Sequence, residues 1–262
     1  ERVYIGVLNR GQNHLKFNEY NALNGEYLQT IFEDKDEQYV EPVGPAHFLP
    51  NSTNEFLWIA QRDGFYHIWK HNVNNKKAKQ ITKGEFVITA FNGFDAKGEN
   101  IYYTSTEVSP LERHYYKHNL KNGKKVKITK EHGTHSVKPS ASGKYFIDTY
   151  SSTAVANNVD IADAKGKFIK RLHEAVDPLK DYNIGTIELG ELKAEDGQTL
   201  YTRMIKPYNF DENKKYPVII YVYGGPHAQM ITDNWTADAG IYLHYLSQEG
   251  FIVFTLDNRG SA

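Results

Sequence analysis

Through the first two thirds of the chain, apolar and polar residues alternate in short runs broken by Gly, Asn and Asp. This period-2 pattern predicts β-strands with one covered face. The runs recur. FLWIAQ begins at Phe56, IYYTST at Ile101 and YFIDTY at Tyr145, so strands of similar composition stand 45 and 44 residues apart. VYIGVL from Val3 reads as an earlier copy, displaced by a longer insertion.

The segments that follow these strands repeat more closely. HIWKHNVNNKKAKQITKG from His67 and HYYKHNLKNGKKVKITKE from His114 share Lys-His-Asn, a polar turn and Ile-Thr-Lys at a constant offset of 47. Each predicts a hairpin, with Asn74-Asn75 and Asn122-Gly123 supplying the positive φ angles of a tight turn. A shorter relative, VDIADAKGKFIKRL from Val159, turns at Lys165-Gly166. Four-stranded units at a period of about 40–50 residues predict the blades of a β-propeller. About four blades are legible in residues 1–184, the first of them incomplete, and a closed ring takes about 4–8. Part of a propeller is therefore expected.

The pattern changes near residue 185, after HEAVDPLKDYN, which reads as a linker. GTIELGELKAEDGQTLYTRMIKPYNF predicts two antiparallel strands joined by Asp196-Gly197. KKYPVIIYVYGGP contains an unbroken apolar run, expected to form a strand covered on both faces. NWTADAGIYLHYLSQEG places Trp235, Ala239, Tyr242, Leu243 and Leu246 along one helical face and stops at Gly250. FIVFTLD is a further buried strand. Strand, helix and strand make a βαβ unit with parallel strands, so residues 185–262 are expected to open an α/β domain. Function in such sheets gathers at the carboxyl ends of the strands, where Tyr223 and Asp257 lie.

Charge narrows the function classes. The 31 Lys and Arg balance 32 Asp and Glu, so no net field draws the chain to nucleic acid or to an anionic membrane. The apolar run Val218–Tyr223 is far shorter than the roughly 20 residues of a membrane-spanning helix. The absence of cysteine rules out disulfides, thiolate metal sites and cysteine catalysis. No signal segment follows Glu1, and both ends read as cuts in a longer protein.

The combination of KKYPVIIYVYGGPHAQ and FTLDNRGSA, preceded by RDGFYHIW and SPLERHYY, resembles the prolyl oligopeptidase family of serine peptidases, in its bacterial dipeptidyl peptidase IV branch. The resemblance covers essentially the whole chain. It implies a mainly β fold, the C-terminal blades of a β-propeller followed by the N-terminal βαβ portion of an α/β-hydrolase domain. In that family the tyrosine matching Tyr223 donates its hydroxyl to the oxyanion hole. A donor aimed at the developing charge of a tetrahedral intermediate lowers the barrier by ~3–4 kcal/mol. Gly224, Gly225 and Pro226 would support the turn that carries it. Asp257, Arg259 and Gly260, with Asn258, match the second motif and are assigned a structural role, Arg259 pairing locally at the sheet's end.

The same resemblance places the nucleophilic serine, aspartate and histidine, and the glutamates that anchor a substrate's amino terminus, outside this chain. Neither Glu107 nor Glu112 is assigned that anchoring role; both are expected to be loop charges in solvent. Ser261 lacks a Gly-x-Ser-x-Gly elbow. Tyr39, Glu41 and Pro42 depart from the family's substrate-contacting pattern and are assigned no contact. No metal or other cofactor is expected: His114 and His118 stand roughly 13 Å apart along a strand, and His132 and His135 read as hydrogen-bonding residues.

The function so implied is removal of amino-terminal dipeptides with Pro or Ala at the second position from oligopeptides, by an exported, periplasmic or envelope-bound bacterial enzyme that works as a homodimer in full-length form. Without the triad, the chain alone is expected to be inactive. The competing readings are a tripeptidyl or acylaminoacyl peptidase and a non-catalytic propeller that binds a partner.

Overall fold

The computed structural model describes residues 1–261, and its strands form five sheets. β1 (Arg2–Leu8), β2 (His14–Asn21) and β3 (Tyr27–Lys35) make a three-stranded antiparallel sheet. Three four-stranded sheets follow, each with its strands adjacent in chain order. The first is β4 (His47–Phe48), β5 (Glu55–Ala60), β6 (His67–Asn72) and β7 (Ala78–Gln80). The second is β8 (Ile88–Phe94), β9 (Asn100–Ser105), β10 (His114–Asn119) and β11 (Lys125–Lys127). The third is β12 (Thr134–Pro139), β13 (Tyr145–Ser152), β14 (Val155–Asp163) and β15 (Phe168–Glu174). The runs at Phe56, Ile101 and Tyr145 thus become the second strand of successive sheets, which is why they look alike.

The repeated hairpin owes its shape to one side chain. Asn72 Oδ1 accepts the N–H groups of Asn74 (3.0 Å) and Asn75 (3.1 Å), and Asn119 Oδ1 accepts those of Lys121 (3.1 Å) and Asn122 (3.0 Å). These are Asx turns. The positive φ falls one residue later than the expected Asn74-Asn75: Lys76 has φ 58°, as Gly123 has 72°. The asparagines shape the turn, and the next residue returns the chain to its strand.

The chain divides into two compact units, residues 1–107 with 117–126, and residues 108–116 with 127–262. The expected boundary at 184/185 falls between β15 and the next strand. In the first unit, Leu15, Phe17, Ile31, Phe56, Trp58, Ala60 and Val73 form a core. At its side His71 stacks on Phe56, ring centroids 5.2 Å apart, and its Nε2 accepts from Arg62 Nη1 at 3.1 Å. Arg62 itself is paired to Asp34 at 2.6 Å.

Burial, then the Arg62 cation, push the His71 imidazole down from 6.5 to about 3. The folded protein therefore holds His71 neutral while the unfolded chain protonates near 6.5. The stability it protects is complete above that pH and is lost as pH falls toward the depressed value. Between pH 6.5 and 5 this one group should cost about 2 kcal/mol, at about 1.4 kcal/mol per pH unit. Urea unfolding of the chain across that range checks it: His71→Gln should flatten the slope by about one proton.

In the second unit, β16 (Thr186–Lys193), β17 (Thr199–Lys206), β18 (Val218–Tyr221) and β19 (Ile252–Leu256) form a sheet of order β16-β17-β19-β18. β18 and β19 are parallel and are connected through helix α1 (Ile241–Gln248), the expected βαβ unit. β16 and β17 pair antiparallel, also as expected. Ile205, Ala239, Leu243 and Val253 make the core between helix and sheet.

Two expectations are corrected here. Among the described residues β18 is an edge strand paired with β19, and it is not covered on both faces: nothing packs over Val218 and Ile220, which are 56% and 68% exposed. The predicted helical face beginning at Trp235 is also wrong. Trp235–Asp238 is a separate 3₁₀ turn in which Thr236, Ala237 and Asp238 have φ of 56°, 48° and 60°. Tyr242 on α1 is exposed, and the helix buries Leu243, His244 and Ser247.

Candidate active site

Two loops meet at the carboxyl ends of β18 and β19. The first carries Tyr223, which is 62% exposed. Two glycines hold it there for different reasons. Gly224 has φ +74°, and a Cβ there would meet nothing within 4 Å, so its requirement is conformational. At Gly225 the requirement is steric, since a Cβ would stand 2.7 Å from Cε1 of the Tyr223 ring. The phenol lies against bare main chain and presents a hydroxyl that can donate. Pro226 follows at the surface.

The second loop, residues 257–260, laces to the first. His227 N–H donates to Gly260 O at 3.0 Å, and Asn258 Nδ2 donates to Gly225 O at 3.2 Å. Gly260, at φ 72°, makes the bend that aims its carbonyl. Arg259 Nε reaches Asp196 Oδ2 at 2.9 Å, tying this loop to the turn between β16 and β17. That guanidinium holds the Asp196 carboxyl below its ordinary value. Both groups are exposed, so the pair orients the loops more than it stabilises them.

Asp257 is buried and accepts the N–H groups of Met230 (2.8 Å) and Ile231 (3.0 Å). Burial pushes its carboxyl up, opposed by those two donors and by the nearby Arg203 cation. Arg203, on β17, is fully buried and was not singled out in the sequence. Its guanidinium donates to Met230 O at 2.9 Å, to Ala237 O, and to Thr255 Oγ1 at 3.1 Å. The main chain at Met230 is thus gripped on both sides, its N–H by Asp257 and its carbonyl by Arg203.

Glu112 does not lie in solvent as expected. It is 8% exposed and accepts from His114 Nε2 at 2.7 Å and from Gly133 N–H at 3.3 Å. His135 pairs with Asp148 at 2.9 Å. In the first unit, Tyr39, Glu41 and Pro42, which were assigned no contact, line a cavity of about 300 Å³ with Asp34, Trp58 and Arg62.

The family model for the dipeptidyl peptidase IV (DPP IV) N-terminal region matches residues 1–157. The chain belongs to this family. Among curated relatives, dipeptidyl peptidase 4 of Arthroderma otae is 31% identical over 218 residues, 80% of this chain and 28% of the relative. The probable dipeptidyl peptidase 4 of Neosartorya fischeri is 29% identical over 247 residues, 92% of this chain and 30% of the relative.

Two bacterial crystal structures share the fold. One is a Bacteroides ovatus protein provisionally named a dipeptidyl aminopeptidase IV, with TM-score 0.92 and 37% identity over 100% of this chain and 40% of that one. The other is Porphyromonas gingivalis dipeptidyl peptidase 4, with TM-score 0.86 and 29% identity over 98% of this chain and 36% of that one. The chain thus spans under half the length of the family members it matches. The expected bacterial branch and propeller blades are borne out: the sheets from β1 to β15 are blades of a dipeptidyl peptidase IV propeller. No helix among the described residues is long and apolar enough to cross a membrane.

Proposed function

We propose that this chain is part of an exported bacterial serine exopeptidase that releases amino-terminal X-Pro dipeptides, and X-Ala dipeptides less well. Tyr223 supplies its oxyanion-hole hydroxyl, and residues 185–262 open its α/β-hydrolase domain. One observation carries the reading: an exposed phenol stands just past a parallel strand, on a glycine turn laced to the loop after the neighbouring strand. When a serine elsewhere in the protein attacks the scissile carbonyl, the C–O π electrons move to the oxygen. The Tyr223 O–H donates to that oxygen more strongly in the transition state than in the bound substrate, which is the condition for raising turnover.

The supporting chemistry is modest in number of parts. Asp257 and Arg203 fix the main chain downstream of the phenol, and Arg259 with Asp196 fixes the second loop. None of these needs to touch substrate. In this reading the nucleophile and its base lie outside the 262 residues. The full-length protein should cleave Gly-Pro-p-nitroanilide, lose that activity to a serine-directed phosphonate, and leave amino-blocked substrates intact. The 262-residue chain alone should show no turnover. Phosphonate-resistant cleavage by that chain, or cleavage of blocked substrates by the full protein, would replace this reading with another.

A further inference from the structure

The connection that leaves the Tyr223 turn is held from two sides. Toward its own sheet it is bound by Gly260 and Asp257, as described. On its other side it is bound to a blade loop, residues 110–113, and to the turn between β13 and β14. Gln229 Nε2 donates to Pro110 O at 2.9 Å, while its Oε1 accepts from Arg113 Nη2. Arg113 Nη1 in turn donates to Pro110 O at 2.8 Å and to Glu112 O at 2.9 Å. The amide of Gln229 is therefore read at both ends, with one orientation that satisfies both partners. Further along, Asp233 N–H donates to Leu111 O at 2.7 Å and Asp233 Oδ1 accepts from Thr153 N–H at 2.8 Å. Trp235 N–H donates to Ser151 Oγ at 3.0 Å.

The loop that grips Gln229 is itself braced. Arg113 N–H donates to Gly133 O at 3.2 Å, and His135 N–H donates to Arg113 O at 3.0 Å. The buried Glu112 carboxylate, held by His114 and Gly133, fixes the residue between Leu111 and Arg113. Gly133 has no room for a side chain, since a Cβ would stand 2.0 Å from Ser151 O. Loop 110–113 and turn 151–153 are thus a built abutment, and Gln229 is the first residue after the Tyr-Gly-Gly-Pro-His turn whose side chain engages it.

We propose that Gln229 and Arg113 are positioning residues for Tyr223. Their bracket fixes the far end of the turn whose near end carries the phenol, so that a propeller loop sets where the oxyanion donor stands. This rests on the oxyanion reading of Tyr223. A conformation with positive φ at Gly224 and at His227 gives the turn hinges on both sides of Pro226. The hydrogen bonds at Gln229 and Gly260 are what stop it from swinging.

The test is steady-state kinetics of the full-length protein on Gly-Pro-p-nitroanilide, with rates expressed per serine titrated by a phosphonate, so that misfolded material does not count. Gln229→Leu should lower kcat by about 10-fold with KM within about twofold, because displacing a donor costs the transition state more than the ground state. Arg113→Lys, which keeps the charge but loses the fork, should lie between it and the parent. In a Tyr223→Phe background, Gln229→Leu should cost less than about twofold, since the group it positions is gone. A full 10-fold further loss there, or no loss from Gln229→Leu beside a crippled Tyr223→Phe, overturns the positioning role alone. If Tyr223→Phe itself leaves kcat unchanged, the oxyanion reading falls and this inference with it.

Discussion

Replacing Tyr223 by Phe in the full-length protein should lower kcat by about 10²–10³-fold while KM moves little. The change removes one oxygen atom from a ring that is exposed and contributes little packing, so the fold should not register it. In the proposed role, what it removes is a donor whose bond strengthens as charge builds on the acyl oxygen, equivalent to ~3–4 kcal/mol of barrier. A loss appearing mainly in KM would mean that the hydroxyl binds substrate uniformly. Unchanged kcat would mean that the ring is a surface aromatic and that the oxyanion is served elsewhere. A companion substitution separates position from chemistry. Gly225→Ala keeps the hydroxyl but puts a Cβ 2.7 Å from Cε1 of the ring, so the phenol has to move. Its kcat loss should approach that of Tyr223→Phe if placement is what matters.

What could be read from the sequence follows how local each determinant is. The blades were legible because each hairpin carries its own instructions: Asn72 and Asn119 bond within their own turns, and the copies recur at a fixed offset. Even there the positive φ was assigned to the asparagines and falls on Lys76, since propensity marks a turn more sharply than the residue that closes it. The glycines beside Tyr223 were legible for the same local reason. Glu112 was not, because its burial depends on His114 and on Gly133, in the turn before β12. The apolar run of β18 predicts a doubly covered strand, but apolar composition does not say what packs over it, and Val218, Ile220 and Tyr221 are exposed. The helical pattern at Trp235 failed because three consecutive residues adopt positive φ, held by contacts remote in sequence.

Arg203 is the plainest case of such a remote contact, and Arg203→Met should destabilise the protein by about 3–5 kcal/mol, since it leaves the carbonyls of Met230 and Ala237 and the Thr255 hydroxyl without their donor, at about 1–3 kcal/mol for each buried group left unsatisfied. Charge alone would send an arginine in TLYTRMIKP to solvent, but period-2 alternation puts Arg203 on the same face as Ile205, which lies in the core with Ala239, Leu243 and Val253, and Arg203 is buried there. The guanidinium does work that a strand residue ordinarily does not. By holding Ala237 O it stabilises a turn of three non-glycine residues at positive φ, a conformation that costs roughly 1–2 kcal/mol per residue. Lysine cannot repeat this, since one ammonium does not span Met230 O, Ala237 O and Thr255 Oγ1 in fork geometry, so Arg203→Lys should recover little. A second signature distinguishes lost charge from lost volume. Burial already raises the Asp257 carboxyl, and Arg203 opposes that rise. Because the folded state keeps the Asp257 proton longer than the unfolded state does, stability is lost as pH rises through the raised value. Removing the cation raises it further and widens that window, so the deficit of Arg203→Met in urea unfolding should grow from acidic to neutral pH. A deficit below about 1 kcal/mol, the level of an ordinary surface ion pair, or one that is the same at both ends of that range, would show that the charge is not what holds this connection in place.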